Sequence, residues 1–384
     1  MMKVCLLGAS GSIGRQTIDV MLKNKDRFDL VAFSVGSKIQ FVSKYLKLFP
    51  SIKYICVGKY EDMLKLQKKH SGVSFYCGDE GLLKIIEDSN EDMVVNALVG
   101  FVGLAPTLTS LKLNKILCLA NKESLVVGGE LVNDLLDKGY GKLYPIDSEH
   151  VALMKCLSVD NKKVNRIIIT ASGGAFRKLS RKELINVTPE DALRHPTWNM
   201  GQKITIDSAS MVNKTFEVIE AHYLYNYSYK KIGIMLNYNS FVHSLIEYKN
   251  GFYRLDTGKP DMRVPIKYAL FEGLTPFKTE YTNDLSSIKN TEFGYFDLKR
   301  YPVVKHAKTV IEKKGTYGAV LNAANEVAVH AFLNHKIKFL MIEKVINKMM
   351  KEHQNIEHPT FEQIVMVDKN TRENVRKLIE GGNK

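Results

Sequence analysis

Two carboxylates stand two residues apart in the segment Tyr144-Pro-Ile-Asp-Ser-Glu-His150, at the end of an apolar run. In an extended chain, side chains at positions i and i+2 point to the same side, so Asp147 and Glu149 would converge on one point. Paired carboxylate oxygens suit Mg²⁺ or Mn²⁺. A solvated turn after a strand would look the same. A metal site therefore needs a third ligand elsewhere in the chain.

The third carboxylate is expected from the segment that contains Asn213, Lys214 and Glu217. On a helix, Asn213 and Glu217 share a face at a spacing of four, and Lys214 and Glu217 at a spacing of three. An ordinary solvent-facing Lys–Glu pair explains this spacing about as well. Because two carboxylates leave a divalent ion under-coordinated, we predict that Glu217 completes a three-carboxylate site with open positions for substrate oxygens.

Two further segments have the composition of a ligand site. Thr170-Ala-Ser-Gly-Gly174 ends an apolar run with a hydroxyl and two flexible residues, which is typical of a phosphate-binding turn and also of an ordinary one. The segment from Arg194 to Gly201 holds the single tryptophan of the chain, Trp198, close to His195. A proline and a glycine in this polar segment favour a mobile loop, and we predict a lid.

A glycine-rich turn, Gly8-Ala-Ser-Gly-Ser-Ile-Gly14, follows the first apolar run. Between a strand and a helix, such a turn lets a pyrophosphate approach the N–H groups of the helix N-terminus. The spacing is G-x-x-G-x-x-G, a weaker signal than G-x-G-x-x-G. At the end of the second strand, Gly36-Ser-Lys38 offers a hydroxyl and a lysine where an NAD site usually has an acid, which favours NADP(H). A surface lysine would look the same.

These residues need a scaffold, and the order of the expected elements predicts one. Strand and helix patterns alternate over the first third, which indicates a Rossmann-like doubly wound parallel sheet in an α/β fold. After Asp147 the pattern changes to the mixed or antiparallel sheet of an α+β catalytic domain, with Ile204-Thr-Ile206 among its expected strands. We predict an NADPH-binding domain over 1–147, a catalytic and connective domain over 148–271 with a mobile loop at 194–203, a linker over 272–298 and a small C-terminal helical domain over 299–384.

Composition argues against several classes of protein. A net charge of +14 would suit nucleic acid or small anions, but the lysines are dispersed and no arginine-rich block or zinc finger accompanies them. We therefore expect no nucleic-acid partner. The longest uncharged stretch, Met93 to Leu108, is too short to cross a membrane. A strand and a glycine turn stand where a signal peptide would, and the five cysteines are far apart, so we expect a reduced, cytoplasmic protein.

Eight motifs occur in order between Gly8 and Glu326: GASGSIG, LANKES, PIDSEH, TASGGAFR, RHPTWNMG, IDSAS with MVNKTFEVIEA, PDMR and LNAANE. In them the chain resembles the 1-deoxy-D-xylulose 5-phosphate reductoisomerases of the non-mevalonate isoprenoid pathway. The resemblance implies that a metal-bound 2-keto sugar phosphate is rearranged by cleavage and re-formation of a C–C bond. NADPH then reduces the resulting aldehyde to 2-C-methyl-D-erythritol 4-phosphate. A homodimer is implied as well.

The resemblance also implies a role for each site residue. The metal would lie on Asp147, Glu149 and Glu217, which form the catalytic set with Lys122 and His195. The implied substrate ligands are Lys122, Ser148, Glu149, Ser172, His195, Trp198, Met200, Ser208, Asn213, Lys214 and Glu217. Of these, Ser172, Ser208, Asn213 and Lys214 would hold the phosphate under His195, Ser148 and Lys122 would hold sugar hydroxyls, and Trp198 and Met200 would exclude water. The implied NADPH contacts are Gly8, Ser10, Gly11, Ser12, Ile13, Gly36, Ser37, Lys38, Asn121, Glu123 and Gly201.

The chain departs from the family pattern in two places. Asn237-Tyr-Asn-Ser240 stands where family members commonly have His-Pro-Gln-Ser, before the strand that contains His243, which we interpret as structural. Ser37 stands where a basic residue often follows the glycine directly, so selectivity for NADPH would be weaker. Two other hypotheses stay open: another NADP-linked dehydrogenase that needs no triple carboxylate, and a nucleotide-sensing or nucleic-acid-binding regulator with a vestigial dehydrogenase domain.

Overall fold

The structure, a computed structural model, describes residues 1–159, 163–198, 200–274, 288 and 290–381. Its strands are β1 (Met2–Leu7), β2 (Phe28–Val35), β3 (Tyr54–Val57), β4 (Ser74–Cys77), β5 (Met93–Asn96), β6 (Ile116–Leu119), β7 (Lys142–Pro145), β8 (Val164–Ala171), β9 (Ile232–Asn237), β10 (Val242–Tyr248), β11 (Tyr253–Thr257) and β12 (Phe293–Gly294). Most of the predicted linker over 272–298 lies outside the described residues.

The described helices lie between and after these strands. They are α1 (Ser12–Lys23), α2 (Gln40–Leu48), α3 (Tyr60–Lys69), α4 (Gly78–Asp88), α5 (Leu104–Lys112), α6 (Glu123–Asp137), α7 (Ser148–Val159), α8 (Pro189–Ala192), α9 (Gln202–Ser210), α10 (Val212–Tyr225), α11 (Arg263–Leu270), α12 (Lys305–Lys313), α13 (Tyr317–Leu333), α14 (Phe339–Glu352) and α15 (Phe361–Gly381). No helix in the described ranges combines the length and apolar character that a membrane crossing requires.

The first of two compact units contains the N-terminal sheet and comprises Met1–Ser124, Leu131–Asp147 and the segment from Asp261 to Leu274. Its seven strands are parallel, in the order β4-β3-β2-β1-β5-β6-β7. The last four residues of β1, Val4 to Leu7, are buried whichever way they point, which is typical of a sheet covered on both faces. The strand order reverses between β1 and β5, and doubly wound sheets bind ligands at such a switch point.

The second unit holds the second sheet and the C-terminal helices, and comprises Leu125–Glu130, Ser148–Pro260 and the described residues from 288 onward. Its sheet has the order β11-β10-β8-β9-β12, in which β8 and β9 are parallel and the other pairs antiparallel. Ile168, Phe241, Val242 and Leu245 form an apolar cluster on this sheet. Because β8 ends at Ala171, Ser172 lies directly after the carboxyl end of this strand.

One expected strand is wrong: Ile204-Thr-Ile206 lies inside helix α9. Isoleucine and threonine favour strands only weakly, and the side chains of Thr205 and Ile206 are buried in the helical conformation. Gly201 precedes this helix, and Met211, in the left-handed conformation with φ of 66°, separates α9 from α10. The helices α12 to α15 agree with the predicted helical C-terminal region. The domain boundaries stay predictions.

Candidate active site

The three predicted metal ligands lie together. Asp147, Glu149 and Glu217 each offer a carboxylate oxygen, and these oxygens all lie within 4.8 Å of one another. Asp147 directly precedes α7, Glu149 is in the first turn of α7, and Glu217 projects from α10. Three oxygen donors at this separation match the ligand preference of a hard divalent cation such as Mg²⁺.

The local geometry predicted for Asp147 and Glu149 is wrong. The two residues do not belong to one extended segment, because α7 begins at Ser148. An acidic residue in the first turn of a helix is stabilised by the helix dipole, which favours this helical start. The backbone carbonyl of Glu149 also accepts a 2.8 Å hydrogen bond from Ser244 Oγ of β10. The carboxylates therefore meet at a strand-to-helix transition rather than along a strand.

Two lysines offset the negative charge of this cluster. Lys122 Nζ pairs with Asp147, and Lys214 Nζ pairs with Glu217 and lies 3.9 Å from Glu149 Oε1. Two carboxylates 4.8 Å apart repel by about 3.5 kcal/mol at an effective dielectric constant of 20. Both ammonium groups are almost fully buried, so solvent screens their attraction little. The cluster is thus an acidic site balanced by fixed cations.

Helix α10 presents its residues as the helical spacing predicts. Asn213 Nδ2 donates to Glu217 Oε1 across one turn. Lys214 donates to the backbone carbonyl of Thr170, the penultimate residue of β8. Lys214 therefore joins the carboxylate cluster to the end of β8, next to Ser172. The alternative of a solvent-facing Lys–Glu pair is wrong, because Lys214 and Glu217 are 4% and 1% exposed.

The predicted phosphate ligands Ser172, Ser208 and His195 also converge. His195 Nε2 lies 3.2 Å from both Ser172 Oγ and Ser208 Oγ. The other ring nitrogen, Nδ1, accepts hydrogen bonds from the backbone N–H groups of Thr197 and Trp198 at 3.2 and 2.9 Å. Since Nδ1 accepts two hydrogens, the neutral ring carries its own hydrogen on Nε2, which faces the two hydroxyls.

Burial sets the charge of His195. Removal from water, with a smaller contribution from the charge of Arg177, lowers the pKa of His195 to about 4. At neutral pH the imidazole is therefore an uncharged hydrogen-bond donor.

The turn after β8 contains Gly173 and Gly174, whose φ angles of +88° and +69° lie in the left-handed region that favours glycine. A Cβ on Gly174 would lie 2.7 Å from the carbonyl oxygen of Ser208, so the turn and α9 approach closely only with glycine there.

The predicted lid, the segment from Arg194 to Gly201, makes further contacts besides those of His195. The ring centroid of Trp198 lies 6.3 Å from that of His243 in β10. Thr197 Oγ1 lies 3.2 Å from Ser240 Oγ, so a hydroxyl pair also connects the loop to the turn before β10. Met200 is half-buried, and Gly201 precedes α9. The roles of Trp198 and Met200 as a cover stay predictions.

The glycine turn after β1 has the geometry of a dinucleotide site. Gly8 has a φ of +81°, and a Cβ on it would lie 2.6 Å from the carbonyl oxygen of Ala97, after β5. A Cβ on Gly14 would lie 2.3 Å from the carbonyl oxygen of Gly8. Gly11 precedes α1 without a capping side chain, so the first N–H groups of α1 are available to an anion. Ser10, Ser12 and Ile13 belong to the same turn.

The remaining predicted cofactor contacts divide into exposed and buried groups. Gly36, Ser37 and Lys38 are exposed directly after β2, where a 2′-phosphate could reach them. Asn121 is buried and donates from Nδ2 to the carbonyls of Leu98 and Gly100 at 3.1 and 2.9 Å. Glu123 is buried beside it. Asn121 thus stabilises the loop after β5, and Glu123 contacts Asn121. Direct contact of either residue with a cofactor stays a prediction.

Sequence reasoning missed a buried pair behind the carboxylate cluster. His150 Nε2 lies 2.9 Å from Glu220 Oε2, and both side chains are buried. The Tyr225 hydroxyl donates to the His150 carbonyl. These contacts join α7 to α10 beside Glu149 and Glu217. The sequence signal that could have found this pair was spacing. His150 directly follows the predicted ligand Glu149, and Glu220 lies about one helical turn after the predicted ligand Glu217.

Three family models together match most of the chain. The 1-deoxy-D-xylulose 5-phosphate reductoisomerase model matches residues 4–129, the model of its C-terminal domain matches 143–225, and a DXP reductoisomerase C-terminal domain model matches 257–374. The chain is 45% identical over 381 residues to 1-deoxy-D-xylulose 5-phosphate reductoisomerase 2 of Bacillus thuringiensis subsp. konkukian, covering 99% of this chain and 100% of the relative. For the Bacillus subtilis enzyme, identity is 43% over 385 residues, with the same coverages.

The chain belongs to the 1-deoxy-D-xylulose 5-phosphate reductoisomerase family.

Solved reductoisomerase structures agree with the fold. A crystal structure of DOX-P reductoisomerase in complex with NADPH, fosmidomycin and magnesium has a TM-score of 0.92 and 33% identity, covering 99% of this chain and 98% of that one. The Zymomonas mobilis reductoisomerase in complex with NADPH has a TM-score of 0.90 and 34% identity, with 99% of each chain covered. The predicted resemblance and fold class are confirmed, and the hypotheses of an unrelated dehydrogenase or a vestigial regulator lose their support.

Proposed function

We propose that this chain converts 1-deoxy-D-xylulose 5-phosphate to 2-C-methyl-D-erythritol 4-phosphate, with NADPH as reductant and a divalent metal, in isoprenoid precursor biosynthesis. The observation that carries the proposal is the convergence of Asp147, Glu149 and Glu217 within 4.8 Å in a reductoisomerase chain. A simple dehydrogenase has no need of this carboxylate set, whereas a ketone rearrangement requires stabilisation of charge on substrate oxygens.

The donor set fits Mg²⁺ or Mn²⁺, and the related structure that holds magnesium supports this. When bound, such a metal supplies Lewis-acid polarisation of the ketone and hydroxyl oxygens. Asp147, Glu149 and Glu217 would hold it. Lys122, paired with Asp147, would orient a sugar hydroxyl, and Ser148, whose hydroxyl donates to Glu149 Oε2 at 2.7 Å, would do the same.

The phosphate would be held by Ser172, Ser208, Asn213 and Lys214. The Nε2–H of neutral His195 points at the two serine hydroxyls and would donate to a phosphate oxygen between them. Such hydrogen bonds fix the distal end of the substrate, and orientation of this kind lowers the barrier at the reacting end. Trp198 and Met200 would cover the site and keep water from the aldehyde.

NADPH would bind at the switch point of the first sheet, and the related structures with NADPH support this. Its pyrophosphate would lie on the turn Gly8–Ile13 at the start of α1, and Lys38 would face the 2′-phosphate. Asn121, Glu123 and Gly201 would supply the remaining contacts. We also propose that the chain acts as a homodimer in the cytoplasm, that Mn²⁺ can replace Mg²⁺, and that the functional domains are 1–147, 148–271 and 299–384.

The assay that tests this function combines the purified protein with 1-deoxy-D-xylulose 5-phosphate, NADPH and Mg²⁺ or Mn²⁺, and follows nicotinamide absorbance. We expect oxidation of NADPH that stops on full chelation and returns when metal is added. Omission of the sugar phosphate is the matched control. Absence of oxidation with either metal would reject the activity, and oxidation that survives full chelation would reject the role of the metal.

A further inference from the structure

Arg177 belongs to the motif TASGGAFR, and its charge contributes to the lowered pKa of His195, but no contact of this side chain has been described so far. Its Nη1 donates to the carbonyl oxygen of Ser172 at 3.2 Å and to the carbonyl oxygen of Tyr238 at 2.6 Å. The Tyr238 ring lies beside the same guanidinium, 5.6 Å from Cζ to the ring centroid. A single side chain therefore joins the phosphate turn, residues 172–174, to a second turn of the same unit.

That second turn comprises residues 237–240. Asn237 is fully buried and fixes the turn, accepting from the Val242 N–H at 2.9 Å and donating to the Glu292 carbonyl at 3.0 Å. The neighbouring residue, Tyr238, offers its aromatic face to the guanidinium. The turn is therefore held on one side by buried hydrogen bonds and on the other by a cation–π contact with Arg177.

The same turn also holds the loop that carries His195. Ser240 Oγ lies 3.2 Å from Thr197 Oγ1. The N–H groups of Thr197 and Trp198 in turn donate to His195 Nδ1 and set the direction of its ring. The turn at 237–240 thus contacts the phosphate site from two sides, through Arg177 to Ser172 and through Ser240 to the loop of His195.

We infer that Arg177 and the turn at 237–240 are positioning elements for the substrate phosphate. Arg177 holds the Ser172 carbonyl, and thereby the direction of the Ser172 hydroxyl. Ser240 holds Thr197, and thereby the direction of His195 Nε2. Neither residue needs to touch the phosphate. The inference deepens the proposed function and rests on it, because it takes Ser172 and His195 as phosphate ligands.

The test measures binding of inorganic phosphate by calorimetry, which does not depend on turnover, together with kcat and KM for 1-deoxy-D-xylulose 5-phosphate. For Arg177→Gln we expect the Kd of phosphate and the KM to rise about 10-fold, which corresponds to one lost charge-assisted hydrogen bond. The Kd of NADPH should stay within about 2-fold, because its proposed site shares no contact with Arg177. Arg177→Lys keeps the charge with a single donor group and should give a smaller rise.

Arg181 offers a matched control four residues further on. Its Nη1 donates to the Arg300 carbonyl at 2.8 Å and its Nη2 pairs with Glu343 at 2.9 Å, so it makes similar contacts away from Ser172. Arg181→Gln should leave the Kd of phosphate within about 2-fold. An unchanged Kd in folded Arg177→Gln, or an equal rise in Arg181→Gln, overturns the inference. If Arg177→Gln does not fold, an unchanged Kd in Arg177→Lys overturns it.

The turn itself is tested with Tyr238 and Ser240. Tyr238→Leu should raise the Kd of phosphate about 3-fold, whereas Tyr238→Phe, which keeps the aromatic face, should not change it. If one turn holds both Ser172 and His195, the effects of Arg177→Gln and Ser240→Ala on the Kd of phosphate should not be independent. The rise in Kd for the double variant should then be smaller than the product of the two single rises. A purely multiplicative double variant rejects the shared turn. A wild-type protein that binds phosphate but does not turn over 1-deoxy-D-xylulose 5-phosphate would instead reject the proposed reaction. The inference about positioning would then still stand or fall by the phosphate Kd values of the variants.

Discussion

The carboxylate cluster and the phosphate site hold their side chains in place by opposite means. Asp147, Glu149 and Glu217 are negative groups within 4.8 Å of one another, and two buried lysines balance them. At the proposed phosphate site, the side chain that faces the two serine hydroxyls is a histidine whose pKa is lowered to about 4, and the cation among the proposed ligands, Lys214, pairs with Glu217. The first site is dominated by charged groups, and the His195 side of the second by the direction of neutral hydrogen bonds.

This difference fits the ligand proposed for each site. A divalent cation is attracted to concentrated negative charge, and for Mg²⁺ the oxygen ligands must lie at about 2.0–2.1 Å in a nearly octahedral arrangement. A phosphate already carries its charge, so neutral donors of fixed direction can recognise it at little cost while it is absent. Charge substitutions should therefore have large effects at the first site, and substitutions at the second should mainly change substrate affinity.

The largest effect is expected from Glu217→Gln, which keeps the shape of the side chain and removes one negative ligand. We expect kcat to fall by at least about 1,000-fold, because the charge that holds the metal is lost. The Kd of NADPH, measured by its fluorescence, should not change. Glu247→Gln, in β10 and paired with Arg166 outside the carboxylate cluster, is the control and should retain activity. More than a tenth of wild-type turnover in Glu217→Gln would remove Glu217 from the metal site.

A second prediction concerns the balance of charge in the metal-free protein. Lys214→Met removes the ammonium group that pairs with Glu217 and lies 3.9 Å from Glu149 Oε1, so we expect the free energy of unfolding to fall by about 3 kcal/mol. Added Mg²⁺ should restore part of this loss, because it binds the folded cluster. Lys138→Met, which removes an exposed pair with Asp134, should change stability by less than about 0.5 kcal/mol. Equal losses in the two variants would show that charge does not govern the cluster.

At the phosphate site, Ser172→Ala should act on affinity. The loss of one hydrogen bond to a charged ligand corresponds to about 2 kcal/mol, so KM should rise about 30-fold while kcat changes much less. Ser158→Ala, an exposed serine at the end of α7, is the control and should leave both constants unchanged. A fall in kcat at constant KM would instead place Ser172 among the groups that act on the transition state alone.

The two sites also differ in how far sequence could predict them. The carboxylate set could be predicted only by taking Asp147, Glu149 and Glu217 together with the family resemblance, because each segment alone also suited a solvated turn or helix face. Their local geometry was not predicted correctly, because a strand pattern was extended over Ser148, where α7 begins. Contacts around the proposed phosphate site join residues far apart in the chain, such as Arg177 and Tyr238, 61 positions apart. Asn325 and Asp207, whose side chains form a buried hydrogen bond across 118 positions, are another case. No local spacing encodes such pairs.

The smallest expected effect is a pH dependence of stability that comes from His195. Its pKa in the folded protein, about 4, lies below the ordinary value of 6.5, so between these values the unfolded chain binds more protons. Stability should therefore fall as the pH is lowered from about 6.5 towards about 4. With allowance for partial exposure to solvent, the loss attributable to His195 is about 1 kcal/mol at pH 5. Denaturant unfolding at pH 7 and pH 5 should show a smaller difference for His195→Gln than for the wild type. Phosphate should reduce the loss in the wild type alone, since a bound anion favours the protonated ring. An identical pH dependence in the two proteins would mean that His195 is not held neutral, and the contrast between a charged and an uncharged site would fail at its centre.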